Sequence, residues 1–334
     1  MKVSITEIMN FVRCRRMWKY KSHNMMGLTP KEESNALVFG SAIHKALEAY
    51  YNPDGCNYNL WIDAFSEYWN NNAKSSDDEE KLHNLGVGML QHYAVWAPSK
   101  DDFEVINLET KYEIPFSTDV IFTLKTDGIV RRDDGIWILE NKTYSVEPDV
   151  DFWSLDLQTT AYPWAITQLV RNDQIPGIDP NEKICGVIYN GLKKKLPTVP
   201  EPLKKGGLSK AMSIDTTYYV YLRAILNNNL NPADYTEILN ALKLRGNPFF
   251  KRFNIRRTTA EFRTFGEFLY IVSEEMLRAQ EIPELCYPSP NRDCTFSCGY
   301  NKLCISENVA GDTDDLIKNL YNVYKEKTTT QRMF

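Results

Sequence analysis

Residues 124–143, LKTDGIVRRDDGIWILENKT, constrain the fold more than any other segment. Two apolar runs flank the turn signal Arg132-Asp133-Asp134-Gly135, so the segment reads as a β-hairpin. Its second strand is apolar on both sides, with Ile136 and Ile138 on one and Trp137 and Leu139 on the other. A strand of this kind sits inside a sheet that is covered on both faces, which points to a sheet core wrapped by helices.

The same strand carries charge. If Asp133 and Asp134 form the centre of the turn, Asp127 lies directly opposite Glu140, with Cα atoms about 4.5–5.5 Å apart. A turn centred on Asp134-Gly135 instead places Asp127 opposite Lys142. Either register gathers the same three side chains, because Glu140 and Lys142 share a face at period two. Two carboxylates at that distance repel, and isolated buried ions are costly. A divalent cation such as Mg²⁺ or Mn²⁺ resolves the conflict by taking carboxylate oxygens, and Lys142 beside it can stabilise charge at a phosphate or orient a water. A structural ion pair at the end of an exposed hairpin is the competing reading of these three residues alone.

Around the hairpin the hydrophobic period changes. Residues 4–20 have the spacing of one short helix, with Ile5, Ile8 (or Met9) and Val12 on one side, and residues 36–51 that of another. A helical, acidic region follows to about residue 97; strands occupy 104–142 and 183–190, and helices 153–171, 216–228, 232–244 and 259–279. Residues 191–212, rich in Lys, Gly and Pro, read as a loop. The class is α/β or α+β, with a helical insertion before the sheet. His44 stands beside the apolar stripe of 36–51, and Gln158 and Tyr162 share a helix face at i, i+4; taken singly, each reads as an ordinary structural residue.

The 334 residues hold 39 Lys/Arg against 44 Asp/Glu, a net charge of −5 that taken whole argues against a nucleic-acid coat or a basic membrane binder. Divided by position the figure changes sense: residues 183–257 hold fourteen Lys/Arg and four Asp/Glu, +10 locally against −15 elsewhere. Interleaved with Tyr218, Tyr219, Tyr221, Phe249, Phe250 and Phe253, this stretch reads as a surface that tracks a phosphate backbone and stacks bases, with the flexible loop carrying Lys204, Lys205 and Lys210 as a clamp. A solvated basic face is the alternative. No apolar run approaches the roughly 18–20 residues that span a bilayer, and Arg13, Arg15, Arg16 and Lys19 stand where a signal peptide would be apolar, so a cytoplasmic location is expected.

Seven cysteines, an odd number, argue against a disulfide framework. Cys294, Cys298 and Cys304 fall within eleven residues, and Cys14 is the candidate for a fourth ligand that would close the two chain ends into a clasp. Four thiolates hold either an iron–sulfur cluster or zinc. Cys56, Cys185 and Cys286 read as buried small residues, Cys286 being a distant alternative ligand.

Together these residues resemble the PD-(D/E)XK nuclease superfamily in its RecB-like exonuclease branch. GSAIH (40–44) resembles the Gly-x-x-x-His motif of that branch, Asp127 with Glu140-Asn141-Lys142 its Asp…(D/E)-x-K centre, and Gln158 to Tyr162 its Gln-x-x-x-Tyr motif. Cys14 with Cys294-x₃-Cys298-x₅-Cys304 is similar to the iron–sulfur arrangement of four-cysteine members among phage exonucleases, helicase–nuclease subunits and CRISPR adaptation nucleases. Two departures stand out: no glycine precedes Asp127, and three residues rather than two separate Cys294 from Cys298. The resemblance implies a restriction-endonuclease-like mixed sheet flanked by helices. It implies metal ligation by His44, Asp127, Glu140 and the carbonyl of Asn141, catalysis by Asp127, Glu140 and Lys142, and contact of Gln158 and Tyr162 with DNA or with Lys142. The expected units are 1–35 (clasp segment), 36–103 (helical, with the His motif), 104–192 (nuclease core), 193–285 (basic, nucleic-acid-binding) and 286–334 (cysteine cluster and tail). The implied substrate is DNA with a free end or a single strand, cleaved with Mg²⁺ or Mn²⁺ in repair, recombination or phage DNA processing. A [4Fe–4S] cluster (alternatively Zn²⁺) and a helicase or recombination-protein partner are implied with it, in a host cytoplasm if phage-encoded. A non-catalytic nucleic-acid-binding subunit and a nuclease acting on RNA are the rival functions.

Overall fold

The computed structural model describes residues 1–31, 34–52, 58–146 and 149–324; Cys56 lies outside them. The chain begins with β1 (Lys2–Ser4), α1 (Ile5–Arg13) and α2 (Arg15–Lys21). The single helix expected over 4–20 is therefore two, because Cys14 is extended (φ −163°, ψ 110°) and ends α1 before α2 starts. Ser4 caps α1 by accepting a hydrogen bond from the Glu7 N–H, and the helix buries Ile5, Ile8 and Phe11, leaving Met9 and Val12 exposed. After β2 (Leu28–Pro30) comes a helical block of α3 (Asn35–Tyr51), α4 (Tyr58–Asn72) and α5 (Glu79–Trp96).

The sheet strands follow: β3 (Glu104–Pro115), β4 (Ile121–Arg132) and β5 (Gly135–Tyr144), then α6 (Val150–Leu155), α7 (Gln158–Arg171) and β6 (Ile184–Lys193). Helices α8 (Tyr218–Asn227) and α9 (Thr236–Arg245) precede β7 (Phe250–Arg256) and the long α10 (Thr259–Glu281). The C-terminal part holds α11 (Asp293–Phe296), α12 (Asn301–Asn308), α13 (Asp314–Leu320) and β8 (Tyr321–Val323).

Antiparallel β3 covers one edge of β4. The other edge is shared: β5 pairs antiparallel with Gly128–Arg132, and β1 pairs parallel with Ile121–Thr123. Beyond β5 the sheet continues through parallel β6 to antiparallel β7. The β5–α6–α7–β6 crossover joins two parallel neighbours, as such a connection requires. One face packs on α1, α7 and α10 through Ile136, Ile138, Phe122, Trp164, Phe265 and Leu269; the opposite face packs on α3, α4 and α5 through Trp137, Leu139, Phe39, Leu47, Trp69 and Met89. Both faces of β5 are buried, so the fold is a mixed α/β sheet flanked by helices. Among the described residues no helix is long and apolar enough to cross a membrane.

Candidate active site

Pairing between β4 and β5 runs from Arg132↔Gly135 to Gly128↔Leu139 and then stops. This is the register with Asp133 and Asp134 at the turn centre, and Asp127 and Glu140 are the next pair outward. They stand at the fork where β5 leaves β4 to follow β6. Past the end of the ladder a side chain takes the freed backbone donor: the Asn141 N–H donates to Asp127 Oδ2 at 2.7 Å. The other carboxylate oxygen, Oδ1, lies 3.0 Å from His44 Nδ1, which reaches the fork from α3.

Glu140 is 3% exposed and ion-paired with Lys142. Gln158, the first residue of α7, joins the group: its Oε1 accepts from Lys142 Nζ at 3.3 Å, and its Nε2 faces Glu140 Oε1 and Tyr162 Oη at 2.9 Å each. Burial, reinforced by the Asp127 charge, pushes the Glu140 carboxyl up to about 7 despite the opposing Lys142 ammonium. Burial pulls the other way at His44 and Lys142, yet both stay above their ordinary values: His44 through its bond to Asp127, Lys142 through the Glu140 charge. Tyr162 is held up chiefly by burial. Glu140, His44 and Lys142 thus all hold protons more tightly than usual in a poorly solvated place beside Asp127, and a cation can take over the charge balance that those protons supply.

A residue that no sequence motif singles out belongs to this cluster. Glu109 on β3 places a carboxylate oxygen within 4.8 Å of ligand atoms of both His44 and Asp127. Leu108↔Gly128 and Thr110↔Thr126 flank it, setting Glu109 across from Asp127, so three carboxylates stand in a row on adjacent strands. Glu109 has a positive φ of 49° and pairs with Lys125. Its position depends on the β3–β4 register, which the connection at 116–120 does not announce in sequence. His44, Glu109 and Asp127 line an open cavity of about 440 Å³ together with Gly40, Lys45 and Tyr68. Carboxylate oxygens with one imidazole suit Mg²⁺ or Mn²⁺.

The other expected residues lie elsewhere. Lys204 and Lys205 are exposed on a loop drawn into a tight turn by the Leu203 N–H to Gly207 carbonyl bond, whereas Lys210 bonds the Asp234 carbonyl at 2.6 Å and lies over the Tyr235 ring. The basic stretch is partly structural: Tyr221, Phe249 and Phe250 are buried and cannot stack bases, and β7 occupies part of what composition presented as surface. Arg252 pairs with Asp101, Arg256 with Asp134 and Arg257 with Glu261, carboxylates from outside that stretch. At the chain ends, Cys298 and Cys304 pack beside the small core of Tyr20, Leu28, Tyr300, Leu303 and Tyr321, and burial raises the Cys298 thiol, with Cys294, Cys14 and Cys304 adding to the rise.

Hard oxygen donors, an imidazole and a lysine at the fork of a mixed sheet have the make-up of a metal-dependent hydrolase site. The chain belongs to the PD-(D/E)XK nuclease superfamily, whose family model matches residues 2–305. Among solved structures it is similar to a “Putative exonuclease” from Eubacterium rectale, at 13% identity, with 72% of this chain and 81% of that one covered and a TM-score of 0.40. No curated protein matches.

Proposed function

We propose that this nuclease is a Mg²⁺- or Mn²⁺-dependent DNA exonuclease of the RecB-like branch, acting on free ends or single strands in repair, recombination or phage DNA processing. The intact Asp127, Glu140 and Lys142 set at the sheet fork, with His44 against Asp127, carries the reading. Asp127, Glu140, His44 and the Asn141 carbonyl would hold the cation, with Glu109 as a further donor. When bound, a divalent cation supplies Lewis acidity toward the phosphate and lowers the pKa of a water. Lys142, held between Glu140 and Gln158, keeps its ammonium where negative charge develops on the phosphate, and Tyr162 holds Gln158 in turn. Lys204, Lys205 and Lys210 would meet the strand backbone. Cys14, Cys294, Cys298 and Cys304 would hold a [4Fe–4S] cluster, and a helicase or recombination protein is the kind of partner that fits.

The test is cleavage of end-labelled single- and double-stranded DNA with and without Mn²⁺. Asp127→Ala, Glu140→Ala and Lys142→Ala should each lower the rate at least about 100-fold. Three variants that cleave as the wild type does would remove the site. A wild-type protein that binds DNA without cutting would be the non-catalytic subunit, and cutting of RNA alone would reassign the substrate.

A further inference from the structure

Behind the fork, on the opposite face of the sheet from Glu140 and Lys142, runs a row of polar side chains. Asn141, Asn190 and Arg252 are direct neighbours across β5, β6 and β7. Asn190 is 0% exposed and Asn141 4%. Asn190 Nδ2 donates to Asn141 Oδ1 at 2.7 Å and to Tyr93 Oη at 2.8 Å, while its Oδ1 accepts from Arg252 Nε at 3.3 Å. Arg252 is anchored in turn by the Asp101 carboxylate at 2.5 Å, the Lys100 carbonyl at 2.9 Å, and the hydroxyls of Tyr51 and Tyr93 at 2.6 and 3.0 Å.

The polarity of this row has one solution. A guanidinium only donates, so Asn190 must turn its oxygen to Arg252 and its amide nitrogen to Asn141. Asn141 must then present its oxygen to Asn190, which fixes its side chain and with it the attached peptide. The N–H of Asn141 holds Asp127 Oδ2, and its carbonyl is a proposed ligand. A buried amide with every donor and acceptor matched has little freedom to reorient. We propose that Asn190, oriented by Arg252 and Asp101, is a positioning residue of the metal centre, acting through Asn141. This rests on the metal-site reading above. Supporting residues behind a first layer of ligands typically change metal affinity 10–100-fold.

Mn²⁺ binding to the purified full chain, followed by titration calorimetry and by the electron paramagnetic resonance of bound Mn²⁺, tests it. Asn190→Leu should weaken Mn²⁺ binding about 10–100-fold and broaden the bound signal, while saturating Mn²⁺ restores much of kcat. Asn141→Ala keeps the peptide but deletes the acceptor, so it should show the same loss, and the double variant should be no worse than either single. A folded Asn190→Leu protein that binds Mn²⁺ as the wild type does overturns the proposal. If Asn190→Leu does not fold, wild-type affinity in Asn141→Ala overturns it. Glu140→Ala is the control: if it too binds Mn²⁺ normally, the metal-site reading has failed, and the relay with it.

Discussion

Among single side chains, Glu140 shows most directly what an intrinsically unfavourable site needs. It is nearly dry, stands next to Asp127 and has a carboxyl raised to about 7, so the metal-free folded state disfavours its charge. The folded value lies above the unfolded one. Its charge therefore costs nothing below about pH 4.5, and stability is lost as pH rises from there through 7. Glu140→Gln removes the charge and keeps the shape. In chelator it should melt higher than the wild type at pH 8, by a free energy on the order of 2–3 kcal/mol, and the gap should close near pH 4.5. With Mn²⁺ present the order should reverse, because the amide gives up a ligand. Thermal melts at the two pH values, with and without Mn²⁺, decide it; equal melting temperatures throughout would show that Glu140 is not a strained ligand.

At the level of elements, the alignment of β5 with β6 depends on one bulge. The pairing slips between Ile136↔Ile184 and Trp137↔Gly186, and this slip sets Asn141 beside Asn190 and Glu140 beside Tyr189. Gly186 has φ 143°, and a Cβ there would collide with the Ile255 carbonyl oxygen. Gly186→Ala should therefore destabilise the fold by about 2 kcal/mol or more and weaken Mn²⁺ binding at a site in which it takes no direct part, measured by denaturant melts and calorimetry. Hairpin β4–β5 is legible in sequence because its turn residues and two-sided apolar pattern are local. For the same reason Asp127, Glu140 and Lys142 group together on sequence alone. Glu109 does not, since the five-residue connection 116–120 marks a turn without fixing which residues of β3 and β4 stand opposite. β7 is hidden in sequence because FKRFNIR lacks a clean apolar–polar alternation, its rings standing three residues apart with charges between them, and its partners are supplied by β6. β1, β2 and β8, three residues each, exist only through pairing with strands far away in the chain.

Across the whole molecule, the two chain ends are locked together. Arg13 pairs with Asp293 at 3.0 Å and bonds Ser297 at 3.2 Å, Lys19 pairs with Glu307 at 2.8 Å, and β2 pairs with β8. Tyr20, Leu28, Tyr300, Leu303 and Tyr321 form a small core under these contacts, beside Cys298 and Cys304. Surface ion pairs of this kind contribute little each, and five buried side chains make a modest core. If Cys14, Cys294, Cys298 and Cys304 hold the proposed cluster, that cross-link would hold the ends more firmly, because closing a loop of this length removes unfolded-state freedom worth roughly 3–5 kcal/mol. On the cluster proposal, Cys298→Ser should fail to retain the metal and melt well below the wild type. The central sheet, with its own two-sided core, should still bind Mn²⁺ at the fork. Iron and acid-labile sulfide analysis, zinc analysis and thermal melts of both proteins test this. Stoichiometric zinc without iron in the wild type would replace the cluster by a zinc site. Full iron retention in Cys298→Ser would remove this cysteine from the ligand set.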